Sequence, residues 1–487
     1  MKQLVHTVLF LLLLSLSSIG WSQPTGSSNM QFTSTSGEAV TNFKEGLKFA
    51  DLNEAKKART FFEKAVALDP KLAVGYVYLA LVSVTPQEFT ANLNKAKENL
   101  ANANDWEKIF YQISETYLNN DVDKRLASAK QMVSQFPTLG RSYVMLGQAY
   151  ADGGDYDKAR SSYMKAVETE PSWPGGFMVI SSSFLFEEPR DFKKAELYAN
   201  KLVSLMPTSG AYILLGDTYR AQNNLQKADA AYAMAVEADK EAPEAYYKRG
   251  HVLSFSGEYE KARELYRKAA ALDATPTFAM ENVAATYLHQ NAPDKAVNFL
   301  TNELKTGSGI SDAQKADAAK YNYLADIITI AYHTNKGQLI QTMLPQLETL
   351  SNELGQSFKD ADAQATEKSY LLSWKALAAL ANNKVDEANA RAMEMKTMLA
   401  PIHNPRKLET YEYVMGQIAY RQKEYKKAIG YFMMTNRQDI YSQYWLAKAY
   451  EADGQSDMAK KLYAQIAVYN FNSIGYALVR TEAKKKS

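Results

Sequence analysis

The 487 residues hold 56 Lys and Arg against 54 Asp and Glu, a formal net charge of +2, which argues against a nucleic-acid binder working through a large basic excess. There is no cysteine, so disulfides, thiolate metal sites, thiol catalysis and anchoring through an N-terminal lipidated cysteine are excluded. Apolar residues at 46% and charged residues at 23% are the balance of an ordinary soluble protein, long enough for several domains or for one elongated array. Residues 1–22 read as a secretory signal peptide. Lys2 supplies the positive start, residues 8–16 are apolar apart from Ser15, and Gly20 and Ser22 sit three and one residues before a cut at Gln23. The apolar run is short for a bilayer span, so no transmembrane segment is expected after its removal. The style of the signal suggests a bacterial, periplasmic or secreted protein. Residues 23–38, rich in Ser, Thr and Gly, read as a flexible leader.

From residue 39 to 306 the chain repeats a helix–turn–helix pattern. Residues 39–71 set Gly46, Ala58, Phe62 and Ala65 before Pro70. Residues 72–103 are weaker, with Tyr76, Leu79 and Ala80 in place but Thr85-Pro86 across the turn. Residues 105–136 use Ile109, Ile113 and Thr116, with Asn119-Asn120-Asp121 as the turn. Residues 140–172 carry Tyr143, Leu146, Gly147, Tyr150, Ala159, Tyr163, Ala166 and Pro171, and the turn Asp152-Gly153-Gly154-Asp155. Residues 173–207 hold about two extra residues near Glu187-Glu188-Pro189. Residues 209–242 repeat the pattern with Tyr212, Leu215, Gly216, Tyr219, Ala228, Tyr232 and Ala235. Residues 243–276 follow with Tyr246, Gly250, Leu253, Ala262, Tyr266 and Ala269, and residues 277–306 with Val283, Ala284, Tyr287, Ala296 and Leu300. The spacing places these residues on one face of each helix, and the small residues let two backbones approach. Between 307 and 402 the register blurs. Gly307-Ser308-Gly309 reads as a loop, 312–334 as a long helix, 339–354 as a helix interrupted at Pro345, and 359–367 as polar, ahead of a further unit over 370–399. Residues 403–473 restore two units through Gly416, Ala419, Ala428 and Phe432, then Leu446, Ala447, Tyr450, Ala459, Tyr463 and Ile466. The helix after Tyr431 is trimmed. Residues 474–487 read as a tail, frayed over 482–487 with its three lysines.

Matched positions returning at about 34 residues resemble the tetratricopeptide repeat (TPR) family. The resemblance implies an all-α, right-handed α-solenoid of about a dozen antiparallel helix pairs, with an irregular stretch around 307–368. It also implies that the first helix of each pair lines a concave groove that takes a protein or peptide partner. Carried onto this chain, the groove candidates are Arg141, Gln148, Asp217, Arg220, Tyr247, His251, Glu281, Tyr413, Tyr420 and Tyr444, with Phe255, His289 and Lys448 at equivalent positions. Tyr and Arg are the types most enriched at binding hot spots. Phe43 and Leu47 stand where chaperone-tail-binding members place a Lys and an Asn, so that clamp is not implied.

No chemistry-bearing motif competes with this reading. The histidines His6, His251, His289, His333 and His403 contain no i, i+4 pair and no HExxH run. Asp121, Asp123, Asp360 and Asp362 lack the glycine and glutamate of a calcium loop and read as caps or surface acids. No GxSxG or phosphate loop is present. No catalytic, cofactor or metal site is therefore expected. The leading expectation is a non-enzymatic scaffold or adaptor of the bacterial cell envelope. The alternative is a glycan- or small-ligand-binding accessory protein of the envelope, whose clustered tyrosines would stack on sugar rings.

Overall fold

Why the repeats make paired helices is visible at their turns. The computed structural model describes residues 30–273, 276–358 and 360–487, and among them are twenty-five α-helices and no strand. Residues 1–22, read as a signal peptide, and the start of the stretch read as a leader lie outside the described residues. The first six pairs are α1 (Gly37–Ala50) with α2 (Ala55–Leu68), α3 (Ala73–Leu81) with α4 (Pro86–Asn99), α5 (Asp105–Glu115) with α6 (Val122–Gln135), α7 (Gly140–Asp152) with α8 (Tyr156–Thr169), α9 (Pro174–Phe186) with α10 (Phe192–Leu205), and α11 (Ser209–Ala221) with α12 (Leu225–Ala238). The next six are α13 (Pro243–Phe255) with α14 (Tyr259–Leu272), α15 (Thr277–His289) with α16 (Pro293–Thr306), α17 (Ala313–His333) with α18 (Gly337–Ser357), α19 (Ala361–Ala381) with α20 (Val385–Leu399), α21 (Glu409–Arg421) with α22 (Tyr425–Met433), and α23 (Ile440–Ala452) with α24 (Ser456–Ala467). A final helix, α25 (Ile474–Lys486), has no pair.

Most pairs turn through a residue at positive φ: Asn53, Asn120, Gly154, Asn223, Gly257, Asn291, Asn335, Asn383, Lys423 and Gly454. Asn and Gly tolerate this left-handed backbone better than other residues, which is why all these turns but the one at Lys423 are written in those two letters. The α3–α4 turn instead uses Thr85 as N-cap, accepting from the Glu88 amide, with Pro86 opening the helix. Asp121 and Asp360 are N-caps of α6 and α19, accepting from backbone amides.

Inside five of the units a first-helix glycine lies under a second-helix ring. A Cβ at Gly46 would stand 2.5 Å from Phe62, and one at Gly250 would stand 2.6 Å from Tyr266. Gly147 meets Tyr163, Gly216 meets Tyr232 and Gly416 meets Phe432 in the same way. Tyr163 therefore packs within its own unit. Successive first helices also touch one another, so they form the tighter, inner side of the curve. No helix among the described residues is long and apolar enough to cross a membrane.

Four expectations are corrected. The described end of the leader is held: Phe32 packs edge-on against Phe43 at 4.8 Å, and the Thr33 amide donates to Glu107 at 2.9 Å. α18 runs through Pro345 without stopping, and α19 begins at Ala361, inside the polar stretch and ahead of the unit expected from residue 370. The tail is α25, whose Ile474, Tyr476, Ala477, Val479, Arg480 and Ala483 are buried, and the helix runs to Lys486 through the end read as frayed.

Candidate functional site

The inner face begins at Arg141 on α7. Its guanidinium makes a two-pronged bond to Asp51 at 2.9 and 3.0 Å and donates to the Tyr78 hydroxyl at 3.2 Å. The Trp173 indole donates to the same carboxylate at 3.2 Å. Asp51 follows α1, so the first pair reaches across to α7. It also reaches α11, where a Cβ at Gly210 would overlap the Leu52 carbonyl oxygen, and the end of α12, where Lys57 pairs with Asp239 at 2.7 Å. Further along α7, Gln148 donates to Asp152 at 2.9 Å, and Asp152 pairs with Arg125 at 2.7 Å. There the Val122 amide donates to the His403 carbonyl at 3.2 Å, joining the third pair to the loop after α20. Tyr117, Arg125, Asp152, Tyr370, Asn404 and Arg406 line a cleft of about 80 Å³ at this junction.

The middle of the face is a buried charge cluster. Asp217 accepts from Arg220, Tyr232 and Lys248, each at 2.6 Å. Burial alone would raise the Asp217 carboxyl, but the Lys248 ammonium and the Arg220 guanidinium hold it below the usual carboxylate range. Arg220 is 1% exposed. Beside it, His251 shares a hydrogen bond with the Tyr266 hydroxyl at 2.9 Å, and burial pushes its imidazole well below the ordinary value, with Arg220 and Lys248 adding to the effect. The half-buried Tyr247 ring lies 5.7 Å from His251 and edge-on to Phe278 at 5.0 Å. Glu281 is buried on the next first helix.

The C-terminal chain enters this face. Asn470, itself at positive φ, donates to the Asn223 amide oxygen at 2.8 Å. The Phe471 ring lies 4.7 Å from the Arg220 guanidinium and edge-on to Phe186 at 5.2 Å. Asn472 donates to Asn282 at 2.8 Å and accepts from His289 Nε2 at 3.0 Å. Beyond it, α25 lies on α15, α17 and α23. Tyr476 meets Phe255 at 5.9 Å and His289 at 6.2 Å, and the Arg480 guanidinium covers Phe255 at 4.9 Å. Glu482 accepts from Tyr444 at 2.5 Å and from Lys448 at 3.2 Å. Tyr413 is buried near Phe432 and Tyr441, whereas Tyr420 is half-buried against Tyr425 and Trp445.

The groove candidates thus separate into groups. Arg141 holds the N-terminal pair. Arg220, Phe255, His289, Tyr444 and Lys448 hold the C-terminal segment. Gln148 and Asp217 fix neighbouring side chains, and Tyr247 and Tyr420 keep partial exposure. Asn223, Asn282 and the Asn470–Asn472 stretch were missed, because nothing in a repeat pattern marks where a non-repeat segment lands.

Family models described as tetratricopeptide repeat match residues 140–172, 209–241, 243–275 and 441–469. These are the pairs α7–α8, α11–α12, α13–α14 and α23–α24, and the chain carries TPR repeats. The human protein O-mannosyl-transferase TMTC3 is 24% identical over 168 residues, covering 31% of this chain and 18% of that protein, so the chain spans under a fifth of that relative's length. The probable assembly chaperone of rpl4 from Schizosaccharomyces pombe is 22% identical over 290 residues, 59% of this chain and 78% of that protein. The crystal structure of the APC/C hetero-tetramer Cut9–Hcn1 aligns over 94% of this chain and 78% of that one, at 13% identity and a TM-score of 0.42.

Proposed function

We propose that this TPR solenoid is a non-enzymatic scaffold or adaptor that holds a protein or peptide partner on its inner face, in the cell envelope of a bacterium. One observation carries the reading. Successive first helices present Arg, Asn, His, Lys and Tyr side chains that grip chain segments lying outside the repeats, through guanidinium, amide and ring contacts. Such groups bury area and still satisfy hydrogen bonds, as peptide recognition demands. The test is site-specific photo-crosslinking in the native cell. A crosslinker at Tyr247, on the inner face, is expected to trap a discrete protein. One at Leu197, a second-helix position that is 63% exposed, is expected not to. Crosslinks from Leu197 with none from Tyr247 would remove the inner face from the reading.

Export belongs to the same proposal. Lys2, the apolar run of residues 8–16 and the small residues Gly20 and Ser22 support a cleaved signal and a periplasmic or secreted location. N-terminal sequencing of the fractionated protein is expected to begin at Gln23. An intact Met1 in the cytosolic fraction would rule this out.

A further inference from the structure

We propose that residues 470–486 are a displaceable intramolecular ligand: they occupy the inner face as a partner's peptide would, and the partner that fits is an amphipathic helix led by an Asn–aromatic–Asn stretch. The inference rests on the scaffold reading and says what that scaffold recognises.

The segment is not a repeat. After α24 it crosses the face in non-helical conformation over residues 470–473 and then forms a helix along it. Its recognition is specific at the leading end. Both ends of the Asn472 amide are read by α15, one by Asn282 and one by His289. A hydrophobic side chain there would leave both partners unpaired, and an aspartate could not donate to Asn282. Phe471 fills the space between the Arg220 guanidinium and the Phe186 ring. Four residues after Asn472, Tyr476 enters the Phe255–His289 contact; Arg480 follows by one helical turn, on the same face. This is a helix laid in a groove, with anchors at helical spacing.

The attachment is built to open. The far end is tied by Glu482 and Lys486 to Lys448 and Glu451, ion pairs with 25–43% side-chain exposure, and such surface pairs contribute little. Burial of Tyr476, Val479 and Ala483 and the tether together favour the closed arrangement. A short linker gives an effective concentration in the millimolar range. A free segment of micromolar intrinsic affinity is then held off by a factor of about a thousand until it carries further contacts of its own.

The test uses the full chain and a fluorescent synthetic peptide of residues 469–487. The full-length Phe471→Ala/Asn472→Ala variant loosens its own segment and leaves the receiving helices untouched. It is expected to bind the peptide at least about 30-fold more tightly than the parent, as the tether's advantage is lost. Equal affinities, or binding to neither, overturn the proposal. A variant that no longer folds overturns it too, because the segment would then be part of the indispensable core. Hydrogen exchange on the parent reads the same question without substitution. Amides of α25 are expected to exchange at least about 10-fold faster than those of α11 and α13, through a separate opening; exchange only with the whole molecule contradicts it. If the peptide fails while Tyr247 still crosslinks a partner, the scaffold reading survives and the self-ligand does not.

Discussion

Gly216 and Tyr232 act as one steric unit, and the same holds for Gly147 with Tyr163. The first-helix backbone lies so close to the ring that even a methyl group would overlap it. Gly147→Leu or Gly216→Leu is expected to cost about 1–3 kcal/mol or more through overpacking, read as a lowered urea midpoint; a midpoint equal to the parent's would mean that the helices have room. These pairs were legible in the sequence because close approach demands one residue type at a fixed offset. Titration behaviour was not legible, because it depends on what covers a side chain. Burial holds the His289 imidazole down at about 3, although Asn472 opposes this. An unfolded histidine titrates near 6.5, so as pH falls below that value the unfolded state takes up the proton and the folded state does not. The stabilisation is full above about 6.5 and is lost on acidification toward 3. Glu187, Glu244 and Glu367, pushed up to about 7 by burial, act in the opposite sense between their unfolded value and neutrality. A difference measurement isolates the histidine: between pH 7 and pH 5, His289→Gln is expected to lose about 2 kcal/mol less stability than the parent. Parallel losses would show that His289 titrates normally.

Among the elements, the blurred stretch was hard to read because its helices are longer, not because they are absent. α17, α18 and α19 have 21 residues each, against 13 or 14 in α7 and α8. The 34-residue offset therefore fails while the helical period persists. Pro345 misled for a related reason. A proline removes one hydrogen bond and clashes with the preceding turn, yet packing at Ile340, Leu347 and Ser351 holds α18 through it. The proline is exposed, so Pro345→Ala is expected to stabilise by roughly 1–3 kcal/mol, seen as a higher melting temperature. An unchanged or lower melting point would mean that a bend at this residue serves the packing. Lys423 makes the converse case at a turn. It occupies the left-handed position that Asn or Gly fills elsewhere, at φ 63° and exposed to solvent, and Lys423→Asn is expected to add about 0.5–1 kcal/mol. α25 was misread because its three terminal lysines look like a frayed end. At a helix C-terminus those charges complement the dipole, and Ile474, Ala477 and Arg480 already carry the three-residue spacing of a buried face.

At the scale of the molecule, the repeats specify neighbours and little else. A TPR array is in principle one-dimensional, each unit touching only the next. This chain adds contacts that no repeat offset encodes: Asp51 to Arg141, Leu52 to Gly210, Val122 to His403, and Asn470 to Asn223. They tie the first pair and the C-terminal segment to the middle of the array, so its stability should be shared rather than local. The Arg141–Asp51 pair is the place to test this, because both side chains are nearly removed from water, at 11% and 4% exposure. Arg141→Met keeps the apolar stem but leaves Asp51 with only the Trp173 indole among these partners. Breaking a buried pair on one side costs about 3–5 kcal/mol. If closure couples the array, that cost appears with a split transition, in which α1 and α2 lose hydrogen-exchange protection before α11 to α14. The penalty should shrink on acidification, since burial already drives the Asp51 carboxyl up and, without Arg141, protonation removes the stranded charge. Gly210→Ala, which disturbs the Leu52 contact and leaves the Arg141–Asp51 pair in place, should reproduce the early loss of protection but not its pH dependence. A cost below about 1 kcal/mol with one cooperative transition in both variants would mean that the ends rest on the array without supporting it.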